Sequence, residues 1–146
     1  MTSRYQPPPI IKAAEFLLVE IEKAVRQFPR YHRYQVGADL RRQAMTVYSN
    51  ANRAWSDRAR QAELVAQLVW DIDALKQHLQ LAKLLRAFNS FRRFEMLIRL
   101  AAELGAQAGG WKRRFSTPNA QNAQANRVAQ CGQKLSTRAT PAGVNP

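Results

Sequence analysis

Hydrophobic positions recur every three or four residues in four segments of the chain. In the first segment, after "QPPP", the apolar residues share one face of a helix. They are Ile11, Ala14, Leu18, Ile21, Val25 and Phe28. Pro29 lacks a backbone donor and disfavours helical geometry at the residue before it. We therefore predict a long first helix that ends before Pro29.

The second segment has a narrow stripe of mostly small residues, which would let a neighbouring helix come close. The stripe is Leu40, Ala44, Val47, Ala51 and Ala54. Ser56 and Asp57 follow it, and side-chain oxygens of these types accept hydrogen bonds from the first amides of a helix. We predict that they cap the third helix.

The third segment is apolar on two sides. One stripe is Val65, Leu68, Ile72, Leu75, Leu79 and Ala82, and the other is Trp70, Ala74, Leu81, Leu84 and Phe88. At about 100° per residue the two stripes lie roughly 160° apart. A helix of this kind needs two partners.

The fourth segment begins after Asn89 and Ser90, which are candidate caps, and closes at "AGG" and "STP". Its apolar positions are Phe91, Phe94, Ile98, Ala101, Gly105 and Ala108, with Leu97, Leu104 and Trp111 beside them. No alternation of period two is long enough for a sheet. We predict an all-α fold, an antiparallel up-down-up-down four-helix bundle over residues 10–115. Residues 1–9 would form an N-terminal extension, and residues 116–146 a disordered, basic and polar tail.

Charge points to a polyanionic partner. The chain carries 23 Lys and Arg against 10 Asp and Glu, a formal net charge of +13. Arginine suits phosphate because its planar fork donates two parallel hydrogen bonds. The candidate residues for binding nucleic acid are Arg30, Arg33, Arg41, Arg42, Lys76, Lys83, Arg86, Arg92, Arg93, Arg99, Lys112, Arg113 and Arg114. The alternative is a set of solvated faces paired with nearby acids.

Tyrosines alternate with basic residues in "RYHRY", Arg30 to Tyr34. Exposed rings in such a pattern favour stacking of unpaired bases. The other interpretation, which we favour from the sequence, is that Tyr31, Tyr34 and Val36 help to close the end of the bundle. The arginines around them would then face RNA or an acidic surface.

Residue types needed for catalysis are sparse. His32 and His78 have no evident partner, and Asp71 and Asp73 are two apart, which points them to different faces of a helix. The one cysteine and two histidines lack the spacing of a metal site. We expect no enzyme activity, no metal and no cofactor. No segment has the apolar length of a signal peptide or membrane span, so we expect a cytoplasmic protein.

Two stretches, "FPRYHRYQVGADLRRQA" and "LKQHLQLAKLLRAFNSFRRFEMLIRLAAELGAQAGGWKRR", resemble the accessory variability determinant (Avd) of diversity-generating retroelements. The resemblance covers roughly residues 10–114, and the tail after Phe115 is longer and more polar than the family leads us to expect. The resemblance implies a bacterial or phage-encoded, non-catalytic homopentamer with a basic surface. Through the basic residues named above, such a protein would bind a reverse transcriptase and its template RNA, and possibly the cDNA. The candidates for the oligomer contact are Trp70, Leu81, Leu84 and Phe88.

Two alternatives remain from the sequence. The chain is more distantly similar to four-helix-bundle proteins encoded by intervening sequences of large-subunit ribosomal RNA genes. A basic scaffold on an anionic surface, such as a membrane, is the other. Against the scaffold, we expect packing to use the apolar stripes, which would leave no amphipathic helix for a lipid interface.

Overall fold

Residues 6–116 are described by a computed structural model, and they form four long helices, one short helix and no strand. The helices are α1 (Pro9–Arg26), α2 (Arg30–Arg33), α3 (Val36–Ser56), α4 (Gln61–Leu84) and α5 (Phe91–Arg113). The predicted all-α bundle is confirmed in its class and in its four long helices. The chain divides after Lys112 into a compact helical unit and a second unit that begins at Arg113. Apart from Ser116, the predicted tail lies outside the described residues, as does most of the N-terminal extension.

Successive long helices of the unit run antiparallel to one another. In the pairs α1–α3, α3–α4 and α4–α5, contacts that advance along one helix retreat along the other. The contacts are Arg41–Glu22 and Tyr48–Glu15 for α1 and α3, Gln61–Ala54 and Asn50–Asp71 for α3 and α4, and Lys83–Phe94 and Ile72–Gly105 for α4 and α5. Arg93 of α5 also pairs with Glu20 of α1. The ends of α1 and α4 therefore lie at the same end of the bundle as the starts of α3 and α5.

The core is built from the stripes that the sequence predicts for α3 and α4. Every member of the α3 stripe and of the first α4 stripe is buried, and so are Leu97 and Leu104 of α5. Each large side chain of this kind contributes about 1.5–3 kcal/mol on burial. At Gly37, α3 approaches α1 so closely that an added Cβ would stand 2.6 Å from Cγ1 of Val25.

The ends of the helices correct two sequence predictions and confirm one. Ser56 is the last residue of α3 and donates to the carbonyl of Asn52, so the prediction that it caps the next helix is wrong. Asp57 accepts a hydrogen bond from the Arg60 amide, but α4 begins only at Gln61. Asp57 therefore closes the turn before α4 and is not its N-cap, which corrects the second prediction. Ser90 does cap α5, because its hydroxyl accepts from the amide of Arg93 at 3.2 Å.

The sequence places the end of α5 at "AGG" and "STP", and the helix does end between them, at Arg113, after continuing through Gly109 and Gly110. A glycine inside a helix costs about 0.5–1 kcal/mol relative to alanine. Ala108 is buried and Trp111 packs against the core. Tertiary packing on both sides of the glycines therefore outweighs their weak helix propensity.

One buried carboxylate lies between α3 and α4. Asp71 accepts hydrogen bonds from the side-chain amides of Asn50 and Gln67, and Gln43 donates to its backbone carbonyl. Asp73 is exposed and pairs with a lysine. The two aspartates thus point to different faces, as predicted, and Asp71 serves to join two helices.

Candidate nucleic-acid interface

Two connecting segments meet at one end of the bundle. The rings of Phe28 and Phe88 make an edge-to-face contact with centroids 5.0 Å apart, and Phe88 contacts Phe94 at 5.6 Å. These contacts bring the α1–α3 connection next to the α4–α5 connection. We call the surface of residues 26–35 and 83–93 the basic end. These two stretches contain seven Lys and Arg and no acidic residue.

Three of the predicted cations at the basic end are engaged within the bundle. Arg33 donates to the carbonyl of Phe28, which closes the turn after α1. The Lys83 ammonium lies 4.8 Å from the centroid of the Phe94 ring. Arg93 pairs at 3.2 Å with Glu20, a carboxylate that is nearly buried. These side chains have structural partners and are the less available part of the cluster.

Arg30, Arg86 and Arg92 are exposed and make no ion pair within residues 6–116. All ten acidic residues of the chain lie in that described part. The residues outside this part contain no carboxylate side chain that could neutralise the three guanidinium groups. They are the strongest candidates for phosphate contacts.

Arg86 has a backbone conformation that arginine rarely adopts. Its φ is +59°, in the left-handed region. The residue follows the end of α4, where the amide of Ala87 bonds to the carbonyl of Ala82 and the amide of Arg86 to that of Lys83. This is a Schellman motif, and glycine is the usual residue at its left-handed position. An exposed guanidinium is held there despite the backbone strain.

Two further predicted arginines lie on the first turns of α3. Arg41 pairs with Glu22 at 2.7 Å, and Arg42 with Asp39 at 2.7 Å. The Arg42 pair lies at the surface and the Arg41 pair is half-buried. Ion pairs open to solvent are worth about 0–1 kcal/mol. A phosphate can therefore compete for these arginines at little cost.

Three further predicted cations of the helical unit, Lys76, Arg99 and Lys112, lie away from the basic end. Lys76 and Arg99 lie along the sides of α4 and α5 and pair with Asp73 and Glu95. Lys112 is 20 residues beyond Arg92 in the same helix, which is about 30 Å at 1.5 Å per residue. Within the helical unit, the predicted cations therefore do not all lie at the basic end. Arg113 and Arg114 belong to the second unit and are exposed.

The aromatic residues at the basic end differ from the sequence prediction. Tyr31 is 88 % exposed and Tyr34 is 72 % exposed, so they do not close the bundle. Phe28 and Phe88 do that, with Val36 packed against the core. Phe91, predicted as a core residue, is 65 % exposed because it is the first residue of α5 and lies beyond the last layer of the core.

The second apolar stripe of α4 is mostly without a partner in the described chain. Trp70 is 72 % exposed, Leu84 is 73 % exposed and Leu81 is about half exposed. Phe88 differs, since its ring is half-buried between two other phenylalanines of the bundle. The exposed residues of this stripe form an apolar surface on α4 against which another protein can pack.

Chemistry is sparse elsewhere in the described part of the chain. Within residues 6–116, no three His, Cys, Asp or Glu side chains come together as a metal site would require. Hydrogen bonding by Arg60, together with its charge, lowers the pKa of Glu63 at the start of α4. His78 has a ring nitrogen 2.7 Å from the carbonyl of Ala74, in its own helix. None of these groups combines a nucleophile with a neighbouring general base.

Within residues 6–116, none of the helices combines the length and apolar character that crossing a membrane takes. Comparison with known proteins gives no family model that matches the chain and no similar curated protein.

Proposed function

We propose that the protein is a non-catalytic accessory factor of a diversity-generating retroelement. In this role it binds the reverse transcriptase and the template RNA, or the cDNA, and supports mutagenic reverse transcription in the cytoplasm of its host. The proposal rests on the sequence resemblance to the Avd family. The observation that supports it best is the basic end, which has exposed aromatic rings and three exposed arginines that make no ion pair within residues 6–116.

The binding part of the proposal is tested by removing charge in two places. Replacing Arg30, Arg86 and Arg92 with Gln changes the basic end and breaks no ion pair of the described chain. Replacing Lys12, Arg53 and Arg58 with Gln is the matched control, because these cations are also exposed, lie outside the basic end and are absent from the ion pairs. Both triple variants lower the net charge by the same amount.

Removing one cation that binds a phosphate reduces the slope of log K against log salt by about 0.7 for a single strand. We expect the slope for template RNA to fall by about 2 in the first variant, and by much less in the control. Equal effects of the two variants would mean that net charge alone determines binding, with no site at the basic end.

The polymerase partner is tested by affinity purification of the tagged protein from its own host, with nuclease treatment. Nuclease and moderate salt remove associations that depend on nucleic acid or on weak charge contacts. Recovery of a reverse transcriptase supports the proposal. Recovery of ribosomal components alone would favour the ribosomal intervening-sequence alternative.

We further propose that bundles assemble as a homopentameric barrel through the second stripe of α4. Trp70, Leu81 and Leu84 are large apolar side chains exposed in the single chain, as such a contact requires. Replacing Leu81 and Leu84 with Glu should give folded monomers, as measured by the mass of the particle in solution. Phe16→Glu, at an exposed position of α1, is the control. An unchanged oligomer mass in the α4 variant would contradict this assembly.

A further inference from the structure

The two segments of the basic end hold exposed rings and exposed guanidinium groups on one surface. Tyr31 and Tyr34 come from the α1–α3 connection, and Phe91 from the start of α5. Ring contacts of 5.0, 5.6 and 5.8 Å run in sequence from Phe28 through Phe88 and Phe94 to Phe91. This series of contacts joins the two segments, and Phe91 is its exposed member.

The three exposed rings are not needed for the core of the bundle. Tyr31 touches the ring of His32 edge-on, and neither tyrosine hydroxyl is hydrogen-bonded within residues 6–116. The bundle end is already closed by Phe28 and Phe88. Most of the surface of both tyrosine side chains is therefore open to solvent, in the same segment as Arg30.

From this arrangement we infer that the basic end binds single-stranded nucleic acid, with unpaired bases stacked on Tyr31, Tyr34 and Phe91 and phosphates on Arg30, Arg86 and Arg92. Stacking requires bases that are not enclosed in a duplex. A surface that held only phosphates would bind a duplex of the same length as well, since its charge density is higher. The inference deepens the proposed function and rests on it, because it specifies the form of nucleic acid that the protein recognises.

The strained backbone at Arg86 supports the same assignment. Left-handed residues other than glycine cluster at functional sites. A glycine would complete the Schellman motif without strain and would leave no cation between Lys83 and Arg92. The basic end therefore has a cation at a position where the backbone conformation alone would favour glycine.

The test compares a single-stranded RNA of about 12 nucleotides with a duplex of the same sequence, using the full chain and fluorescence anisotropy. A single-stranded DNA of the same sequence shows whether the sugar contributes. We expect tighter binding of both single strands than of the duplex. Replacing both Tyr31 and Tyr34 with Ala should weaken single-strand binding about 5- to 150-fold for each base that no longer stacks, with the salt slope unchanged.

Phe16→Ala is the matched control, because this ring is also exposed but lies near the middle of α1. It should bind like the unaltered protein. Far-ultraviolet circular dichroism verifies that each variant keeps its helices.

The outcomes separate the inference from the proposed function. Equal affinity for single strand and duplex, or tyrosine variants that bind as the unaltered protein does, would overturn the stacking site. If the Arg30, Arg86 and Arg92 variant still bound more weakly in that case, the charge-based proposal would stand. If neither form of RNA bound at physiological salt, nucleic-acid binding itself would be refuted.

Discussion

Replacing Arg86 with Gly should stabilise the protein and weaken its binding of nucleic acid. A left-handed conformation costs a residue other than glycine about 1–2 kcal/mol. Removing this strain stabilises the folded state. Glycine also makes the unfolded chain more flexible, which offsets about 0.4–1 kcal/mol of that stabilisation. Arg86 makes no ion pair within residues 6–116 that the change would remove. Taking the middle of each range, the net expectation is an increase of about 0.8 kcal/mol in the free energy of unfolding.

The stability of the Arg86→Gly variant is measured by urea denaturation followed by circular dichroism. A gain of this size also raises Tm by about 2–4 °C in a domain near 110 residues. Arg86→Ala is the control, because it removes the same charge but keeps the strained backbone. Both variants should bind single-stranded RNA more weakly, with the salt slope reduced by about 0.7. Equal unfolding free energies for the Gly and Ala variants would refute the claim that Arg86 is strained.

Gly37→Ala should destabilise the bundle by about 1–3 kcal/mol, because the new Cβ would stand 2.6 Å from Cγ1 of Val25 in the core. Unfolding in urea measures the loss, and an unchanged midpoint would mean that α1 and α3 can separate easily. Glu63 should titrate below its ordinary pKa, because the hydrogen bond and charge of Arg60 stabilise its ionised form. The pKa is lowered in the folded state, so this contribution to stability is present above the unfolded pKa. It is lost as the pH falls through the folded value. Nuclear magnetic resonance of the Glu63 carboxyl carbon should show its midpoint rising in Arg60→Ala, whereas identical midpoints would exclude the interaction.

Helices α3 and α4, which contact the core along their whole length, could be predicted from the sequence. The stripes of α3 and of the inner side of α4 repeat at helical spacing, and the residues in them are buried as expected. Exposure of Leu84 on the outer side follows from the same periodicity, because a helix in a four-helix bundle faces one core.

The end of the bundle could not be predicted in the same way. Local pattern does not show whether a ring such as Tyr31 folds over the core or points away from it, since that depends on whether Phe28 and Phe88 already fill the space. Nor does "KLLRAF" contain the glycine that would mark a left-handed residue at Arg86. The basic residues are evident in the sequence, but their separation into paired and unpaired groups depends on which helices are neighbours.

The central claim is that nucleic acid binds at the basic end, and photochemical cross-linking tests it most directly. The full chain is irradiated with a single-stranded RNA, digested, and analysed by mass spectrometry to locate the attached nucleotides. We predict cross-links on peptides that contain Tyr31, Tyr34 and Phe91, and their disappearance at high salt. Cross-links confined to the sides of α4 and α5, or to residues 117–146, would contradict the claim.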